Sequence, residues 1–569
     1  MPKLNSFILI LFYLIWIQYL AGSQLDFDVW KIGKRGQGSY NVWVYFLDKI
    51  HDDSPDINSQ FLAIRDSMHD RTIQRRGKVK SDDNLIGIVD LPVSKNYIQL
   101  IKKTGVKIRN KSKWLNAISI SGTRKQIELI SQYSFVKKIK PVLNGRRRKA
   151  NPSSRISKTH SDSSYYGNSF NQLNQINLIQ LHESGYSGKN VRVLVLDSGF
   201  YLNHEVFDSI DVIGAYDFVD QDSIVFNEQG KDPSNQHNHG TAVLSVIAGF
   251  KPDKLIGSAY GAEFLLGKTE DLSIEAPIEE DNFIAGLEWG ESLGADILSS
   301  SIGYIDWYTQ HDLDGGTAVI SLAVNIAIEN GMIVVTAVGN SGFDGIVAPA
   351  DAFQIISCGA VDENGLIASF SSRGPTADGR IKPEVCAQGR GTFTATAFST
   401  SSYGNGIGTS LSSPLVSGVC ALLLEAYPDW IPSQVRNAII TTADQAGSPN
   451  NNYGWGIINA VAALDYNQAE TPPDSEFFIS NVYPNPSDGR VTFNLKNPPS
   501  LKLNLSIIDV TGASSFEKDI TLSPDQNILQ LNLKDFSTGI YLAVFNFEHN
   551  KLITRKICHI KGFENTCTE

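Results

Sequence analysis

Three polar residues stand far apart in this chain, each at a point where a fold can aim its side chain: a strand end and two helix starts. Asp197 closes the run Val191-Arg-Val-Leu-Val-Leu-Asp197, ahead of Ser198-Gly199. His239 opens His239-Gly-Thr241, and Ser410 sits in Gly408-Thr-Ser410-Leu-Ser-Ser-Pro414. The run from Val191 to Leu196 is apolar and β-branched, as in a strand buried on both faces. His239 leads into the apolar stretch Ala242 to Ala248. Ser410 leads into Ser412 to Tyr427, where Leu415, Val416, Val419, Leu422, Leu423 and Ala426 recur at helical spacing. An acid at a strand end, with an imidazole and a hydroxyl at helix starts, predicts an α/β fold. In such folds sites form outside the carboxyl ends of the strands of a mostly parallel sheet.

A carboxylate, an imidazole and a hydroxyl are the set needed for nucleophilic acyl transfer. Ile333-Val-Val-Thr-Ala-Val338 reads as a second buried strand, followed by Gly339-Asn340-Ser341-Gly342. The Asn340 amide therefore stands at a strand end, where it can donate to the oxyanion of a tetrahedral intermediate. The helix start at Ser410 adds oriented backbone N–H groups. Singly, Asp197 reads as a turn residue, His239 as a helix-start histidine, Ser410 as an N-cap and Asn340 as a left-handed turn residue. Their joint occurrence, in order, reverses each reading.

Over about residues 170 to 465 the chain resembles the subtilisin-family serine peptidases (subtilases, peptidase family S8). Further segments fall in family order: Asp296-Ile-Leu-Ser-Ser-Ser301-Ile-Gly303, Ala348-Pro-Ala350, Cys358-Gly-Ala-Val-Asp362, Phe370-Ser-Ser-Arg-Gly-Pro375 and Lys382-Pro-Glu384. The resemblance implies a subtilisin-like three-layer α/β domain. It implies Asp197, His239 and Ser410 as a catalytic triad, Asn340 as the oxyanion donor, and Ser301, Ile302 and Gly303 as the segment that binds extended substrate. Ala242 stands where many relatives carry a second His, Leu411 where Met is common, and Gln388 where Pro is usual. None of these departures removes a catalytic group; they bear on substrate preference. The expected function is an exported serine endopeptidase acting through an acyl-enzyme. The alternative is a catalytically inactive surface binding or adhesion protein on a peptidase scaffold, which would need a missing catalytic group. Within the enzyme reading, the stretch Tyr304 to Gly316, rich in Asp and aromatics, could narrow the cleft towards one dedicated substrate.

The surroundings divide the 569 residues further. Residues 1–23 read as a signal peptide: Lys3, the apolar run Phe7 to Leu20, then Ala21-Gly-Ser23 as a cleavage site. Residues 24–150 carry a small α+β pattern, with strands at Tyr40 to Leu47, Trp114 to Ser121 and Phe135 to Val142. Helices are expected at Ile57 to Arg76, Ser94 to Lys103 and Thr123 to Tyr133. In that position the unit resembles a subtilase propeptide, an inhibitor and folding chaperone. Arg146-Arg-Arg-Lys149 and a Ser/Asn/Tyr-rich stretch, residues 151–168, read as a flexible processing linker. The peptidase domain is then residues 169–466.

Residues 467–475, containing Glu470-Thr-Pro-Pro-Asp-Ser475, read as a linker. Residues 476–569 carry short strands at regular spacing, the pattern of a β-sandwich. Asn481-Val-Tyr-Pro-Asn-Pro-Ser487, Ile508-Asp-Val-Thr-Gly512 and Phe536-Ser-Thr-Gly-Ile-Tyr541 resemble the C-terminal type IX secretion sorting domain of Bacteroidetes. That implies passage through the periplasm and across the outer membrane, to a secreted or cell-surface location. It also implies the type IX machinery as a partner, beside protein or peptide substrates and the chain's own propeptide. A monomer is expected. The net charge of −11 argues against nucleic acid as a partner. Cys358 with Cys386, and Cys558 with Cys567, could each form a disulfide, while Cys420 reads as a buried free thiol. No cofactor is required and no metal ligand set has zinc spacing; calcium is an allowed addition at the Asp-rich stretch Asp217 to Asp222.

Overall fold

The computed structural model describes residues 25–466, apart from 26–28, 33, 36–37, 50–56, 143, 146–163, 273–277 and 305–307. Of the C-terminal segment it describes 478–479, 489–496, 501–509, 514–523, 528–547 and 551–559. The signal peptide, the Arg146–Lys149 run, the Glu470–Ser475 linker, the Asn481–Ser487 motif and Cys567 lie outside these residues. The chain forms two compact units, Met1–Tyr466 and Asn467–Glu569.

After a short helix (Val29–Ile32) and a two-residue strand (Lys34–Arg35) that pairs with the start of β1, the first unit continues with β1 (Ser39–Phe46), α1 (Ile57–Ser67), α2 (Asp70–Gly77), α3 (Lys95–Lys102), β2 (Lys107–Ser112), β3 (Ala117–Thr123), α4 (Arg124–Ile130) and β4 (Val136–Pro141). The strands pair antiparallel in the order β4-β1-β3-β2. Val42, Val44 and Phe46 of β1 face a core with Ile101 of α3 and Ile127 and Ile130 of α4. Trp43 and Tyr45, pointing the other way, are buried with Phe283 and Leu287 of the peptidase portion. β1 is thus covered on both faces. The single helix expected over Ile57 to Arg76 is two. It breaks at Met68–His69, where His69 is extended (φ −63°, ψ 137°) and its Nδ1 accepts the Arg71 N–H, capping α2.

The peptidase portion is built on β5 (Arg192–Asp197), β6 (Asp211–Asp217), β7 (Glu263–Lys268), β8 (Ile297–Ser300), β9 (Ile333–Ala337), β10 (Ile356–Val361) and β11 (Val385–Gln388). All seven are parallel, in the order β11-β10-β9-β8-β5-β7-β6. Helices α5 (Asn238–Ala248) and α8 (Thr409–Ala426) cover one face; α6 (Glu280–Ser292) and α7 (Val319–Glu329) cover the other. The pleat sorts β5 between the layers: Val193 and Val195 face α5 and α8, while Leu194 and Leu196 face α6 and α7. Both sets are apolar, which is why the strand reads as a continuous hydrophobic run. The α8 helix is apolar enough to cross a membrane but lies in the core. A hairpin of β12 (Arg390–Ala395) and β13 (Tyr403–Ile407) leads into it, and α9 (Pro432–Thr441) follows.

In the second unit, β14 (Arg490–Lys496) pairs with the short stretch Phe478–Ile479 and with β17 (Ile528–Asn532). A second sheet runs β16 (Ser514–Leu522), β15 (Leu501–Asp509), β18 (Gly539–Phe547), β19 (Lys551–His559). Val491, Phe493, Leu505, Ile507 and Phe545 form the core between the sheets. The sequence showed no sign of β16, an edge strand whose inner face, Phe516, Ile520 and Leu522, is interrupted by Lys518 and whose other face is exposed.

Two expectations are corrected. Cys358 and Cys386 lie on neighbouring strands, but Cys386 registers with Gly359 and Cys358 with Val385, so their side chains leave opposite faces of the sheet. Both are free, as is Cys420 on α8. The end of the expected flexible linker, Ser164–Asn168, is ordered: Tyr166 is buried and stacks on His182 with ring centroids 5.9 Å apart.

Candidate active site

Asp197 ends β5 and is fully buried. Its Oδ1 accepts the Ser198 N–H at 2.7 Å, and the His239 Nδ1 lies 2.7 Å from Oδ1 and 2.9 Å from Oδ2. His239 stands in the first turn of α5, one-fifth exposed. Close approach is possible because the next residue is Gly240. A Cβ there would run into the Gly199 carbonyl and sit 3.1 Å from the Asp197 Cβ.

Ser410 lies in the first turn of α8, 6% exposed. The helix starts three residues earlier than the apolar periodicity suggested, so the hydroxyl is inside the first turn. Gly408, with φ +149°, makes the corner, and a Cβ on it would sit 2.7 Å from the Ser410 Oγ and 3.6 Å from the Asn340 Nδ2. Hydroxyl and amide therefore border the same small space. The amide's orientation follows from its other end: Asn340 Oδ1 accepts the Thr409 N–H at 2.9 Å and the Thr409 hydroxyl at 3.0 Å. A backbone N–H can only donate, so Oδ1 is the acceptor and the NH₂ group is turned towards Ser410.

Ser301, just past β8, donates its hydroxyl to the Ser410 carbonyl at 2.7 Å. The Ile302 side chain is in the core, so backbone groups are what this residue can offer to a ligand. Gly303 backs onto Val347. In the described part of Tyr304 to Gly316, Tyr304 and Leu313 are buried and Gln310 Nε2 donates to the Ile346 carbonyl at 3.2 Å.

The acidic stretch named for calcium already has cationic partners. Asp217, Asp222 and Glu228 can bring ligand oxygens within 4.8 Å of one another. Lys268, in register with Asp197, places its buried ammonium 2.8 Å from Asp217 and 2.9 Å from Asp232. Lys231 is 2.9 Å from Glu228 and 3.8 Å from Asp222. Burial would lower the Lys268 ammonium, but the two carboxylates outweigh it and hold its pKa up. Asp217, Asp222 and Glu228 thus share their carboxylates with two lysines, one buried and one exposed.

A second polar site went unnoticed in the sequence. One face of α6 carries Asp281, Glu288 and Glu291, at helical spacing i, i+7 and i+10, and all three bind the N-terminal α+β portion. Asp281 accepts Arg109 at 2.9 Å and the Ser119 hydroxyl at 2.7 Å. Glu288 accepts the Ser112 hydroxyl at 2.5 Å and the Lys113 N–H at 3.1 Å. Glu291 takes Arg75 at 2.5 Å and Arg76 at 2.9 Å, with all three side chains buried. Just before α6, Ile278–Glu279 pairs antiparallel with Asn144–Gly145.

Comparison with known proteins accords with this geometry. Residues 188–456 match the Subtilase family, residues 41–159 the Bacteroidota peptidase S8 propeptide domain, and residues 481–561 the secretion system C-terminal sorting domain. Subtilisin DY from Bacillus licheniformis is 32% identical over 289 residues, 50% of this chain and 94% of that protein. The chain belongs to the subtilase family. Subtilisin E from Bacillus subtilis strain 168 is 28% identical over 369 residues, 64% of this chain and 84% of that one. Fervidolysin from Fervidobacterium pennivorans, described as a keratinolytic enzyme related to subtilisin, shares the fold. Its TM-score is 0.55 at 18% identity, over 93% of this chain and 78% of that one. This subtilase is a serine-type endopeptidase. It carries its own propeptide domain, and a sorting domain that marks it for export, to secretion or cell-surface attachment.

Proposed function

We propose that this subtilase cleaves peptide bonds through an acyl-enzyme on Ser410. With the His239 Nδ1–H donating to Asp197, the other ring nitrogen is left as the base. It takes the Ser410 proton as the hydroxyl attacks the scissile carbonyl. Asp197 holds the tautomer and stabilises the imidazolium. The carbonyl oxygen, becoming an oxyanion, receives hydrogen bonds from Asn340 Nδ2 and the Ser410 N–H. The imidazolium then protonates the leaving amine, and water, deprotonated by the same ring, releases the acyl group. Ser301 to Gly303 align the substrate main chain as an added strand. No cofactor enters these steps. The N-terminal domain inhibits the enzyme until it is cut and released, and the sorting domain carries the protein through the periplasm and across the outer membrane.

The observations that support this reading are two preformed pairs on helices that pack together over one face of the sheet: the hydrogen-bonded Asp197–His239 couple at the start of α5, and the Ser410 hydroxyl and Asn340 amide bordering Gly408 at the start of α8. The test is fluorophosphonate labelling of exported material, read by intact mass, with casein hydrolysis in parallel. Wild type should take one adduct, and Ser410→Ala should take none and leave casein intact. Casein cleavage undiminished in that variant would refute the assignment.

A further inference from the structure

We infer that Gln236 is a positioning residue for His239, its buried carboxamide setting the start of α5 against the turn that follows Asp197. This rests on the reading of His239 as the base. His239 stands in the first turn of α5, and that turn lacks the usual support: His237, the residue before it, makes no side-chain cap. The placement of the imidazole therefore depends on groups outside the helix. They stand on both sides of His239 in the chain. After it, the Thr241 hydroxyl accepts the Tyr201 N–H at 2.9 Å. Before it comes Gln236, which is fully buried. Its Nε2 donates to the Ser198 carbonyl at 2.7 Å and to the Glu270 carbonyl, and its Oε1 accepts the Leu272 N–H at 2.8 Å. Carbonyls only accept and an N–H only donates, so the amide has one orientation and both of its donors are used. One carboxamide joins three stretches of chain: the loop entering α5, the turn after β5 and the segment after β7.

Ser198 carries the coupling to the acid. Its N–H donates to Asp197 Oδ1 at 2.7 Å, and its carbonyl accepts Gln236. Asp197 and the loop that leads to His239 are thus referred to the same residue. The contact between them is close: a Cβ on Gly199 would sit 2.8 Å from the Val225 carbonyl oxygen and 3.4 Å from the His237 Cβ. The loop itself is stiffened by Asn227 and His237, which exchange hydrogen bonds of 2.8 and 3.1 Å. Removing the Gln236 amide takes a donor from two buried carbonyls and an acceptor from one N–H, and the loop must shift to recover partners. A shift of about 1 Å in a reacting group costs up to about 10²-fold in rate.

The test deletes the amide and keeps its volume, with Gln236→Met. Steady-state kinetics of the mature enzyme on a short peptide should show kcat lowered by about tenfold to 10²-fold, with KM little changed. The second readout is the proton magnetic resonance of the His239 Nδ1–H, taken on the full chain carrying Ser410→Ala. A proton shared with a carboxylate resonates far downfield, and Gln236→Met should move it upfield or lose it to exchange with water. Gln236→Glu, the same shape without the two donors, replaces Gln236→Met if that variant does not fold, and should behave alike. Should neither variant mature, the resonance decides alone. Gln172 is the control, equally buried but bonded to the Phe393 backbone at 2.8 and 3.2 Å. Gln172→Met should leave both readouts at wild-type values. An unchanged resonance in the Gln236 variant, a rise in KM at constant kcat, or an equal upfield move in Gln172→Met would overturn the inference. The resonance is read without the Ser410 hydroxyl, so a Ser410→Ala chain that still cuts casein would refute the nucleophile and leave this test standing.

Discussion

Asn340 does two jobs with one side chain. Its carbonyl end is tied to Thr409, the residue before Ser410, and its amide end faces the Ser410 hydroxyl. In the proposed mechanism this fixes donor and nucleophile to each other through one peptide unit, with no rearrangement needed as charge develops. Asn340→Ala should lower kcat by about 10²–10³, a magnitude measured on subtilisin itself, with KM little changed. Steady-state kinetics on a short peptide would check it, and a rise in KM at constant kcat would show that Asn340 only binds ground-state substrate. The residues of the candidate site could be picked out in the sequence because each stands next to a chain landmark: a strand end, a helix start, a Gly-rich corner. The tie from Asn340 to Thr409 could not be read there, since it joins residues 69 apart in the chain.

At the scale of elements, α6 joins the peptidase sheet to the propeptide. Burial would raise the Asp281 and Glu291 carboxyls, but Arg109 in the first case, and Arg75 and Arg76 in the second, outweigh it and hold both below their usual range. Their contribution to propeptide binding is present above the ordinary carboxylate range and is lost as pH falls through the depressed values. Glu288 behaves oppositely. Burial outweighs its hydrogen bonds from Ser112, Lys113 and Trp114 and raises its pKa, so binding tightens as pH falls through that raised value. Retention of the cut propeptide should therefore peak on the acid side of neutrality and fall away again once the pH drops below the ordinary carboxylate range. Dissociation rates across that range would check it; a monotonic profile would contradict the opposed shifts. Arg75→Ala, which leaves Glu291 buried with one partner fewer, should weaken the hold at neutral pH by about 3–5 kcal/mol. The sequence showed α2 only as the end of one longer helix, Ile57 to Arg76. Its target on α6 was hidden because nothing local in the sequence tells an acid that meets a partner across the fold from one that faces water.

For the whole molecule, the boundary at Tyr466 separates catalysis from address. The seven-stranded sheet and its helices close before that residue, and the second unit has its own core of Val491, Phe493, Leu505 and Phe545. A chain ended after Tyr466 should keep wild-type kcat/KM once its propeptide is removed, yet fail to leave the cell that makes it. Cell fractionation with a peptide assay would show both; normal export of that chain would remove the sorting role. The three-part division was readable because composition and periodicity change at each junction, while strand order was not, since parallel strands carry no local sign of their neighbours. That order bears on how the chain assembles. β5, the first peptidase strand in sequence, lies inside the sheet between β7 and β8, and α8, which presents Ser410, comes from the far end of the domain. The native pairings thus close long loops before any reward arrives, the hallmark of a slow search. The propeptide, made first, clasps α6, the crossover helix between β7 and β8. It is placed to shorten that search by holding the two strands that must flank β5 within reach of each other.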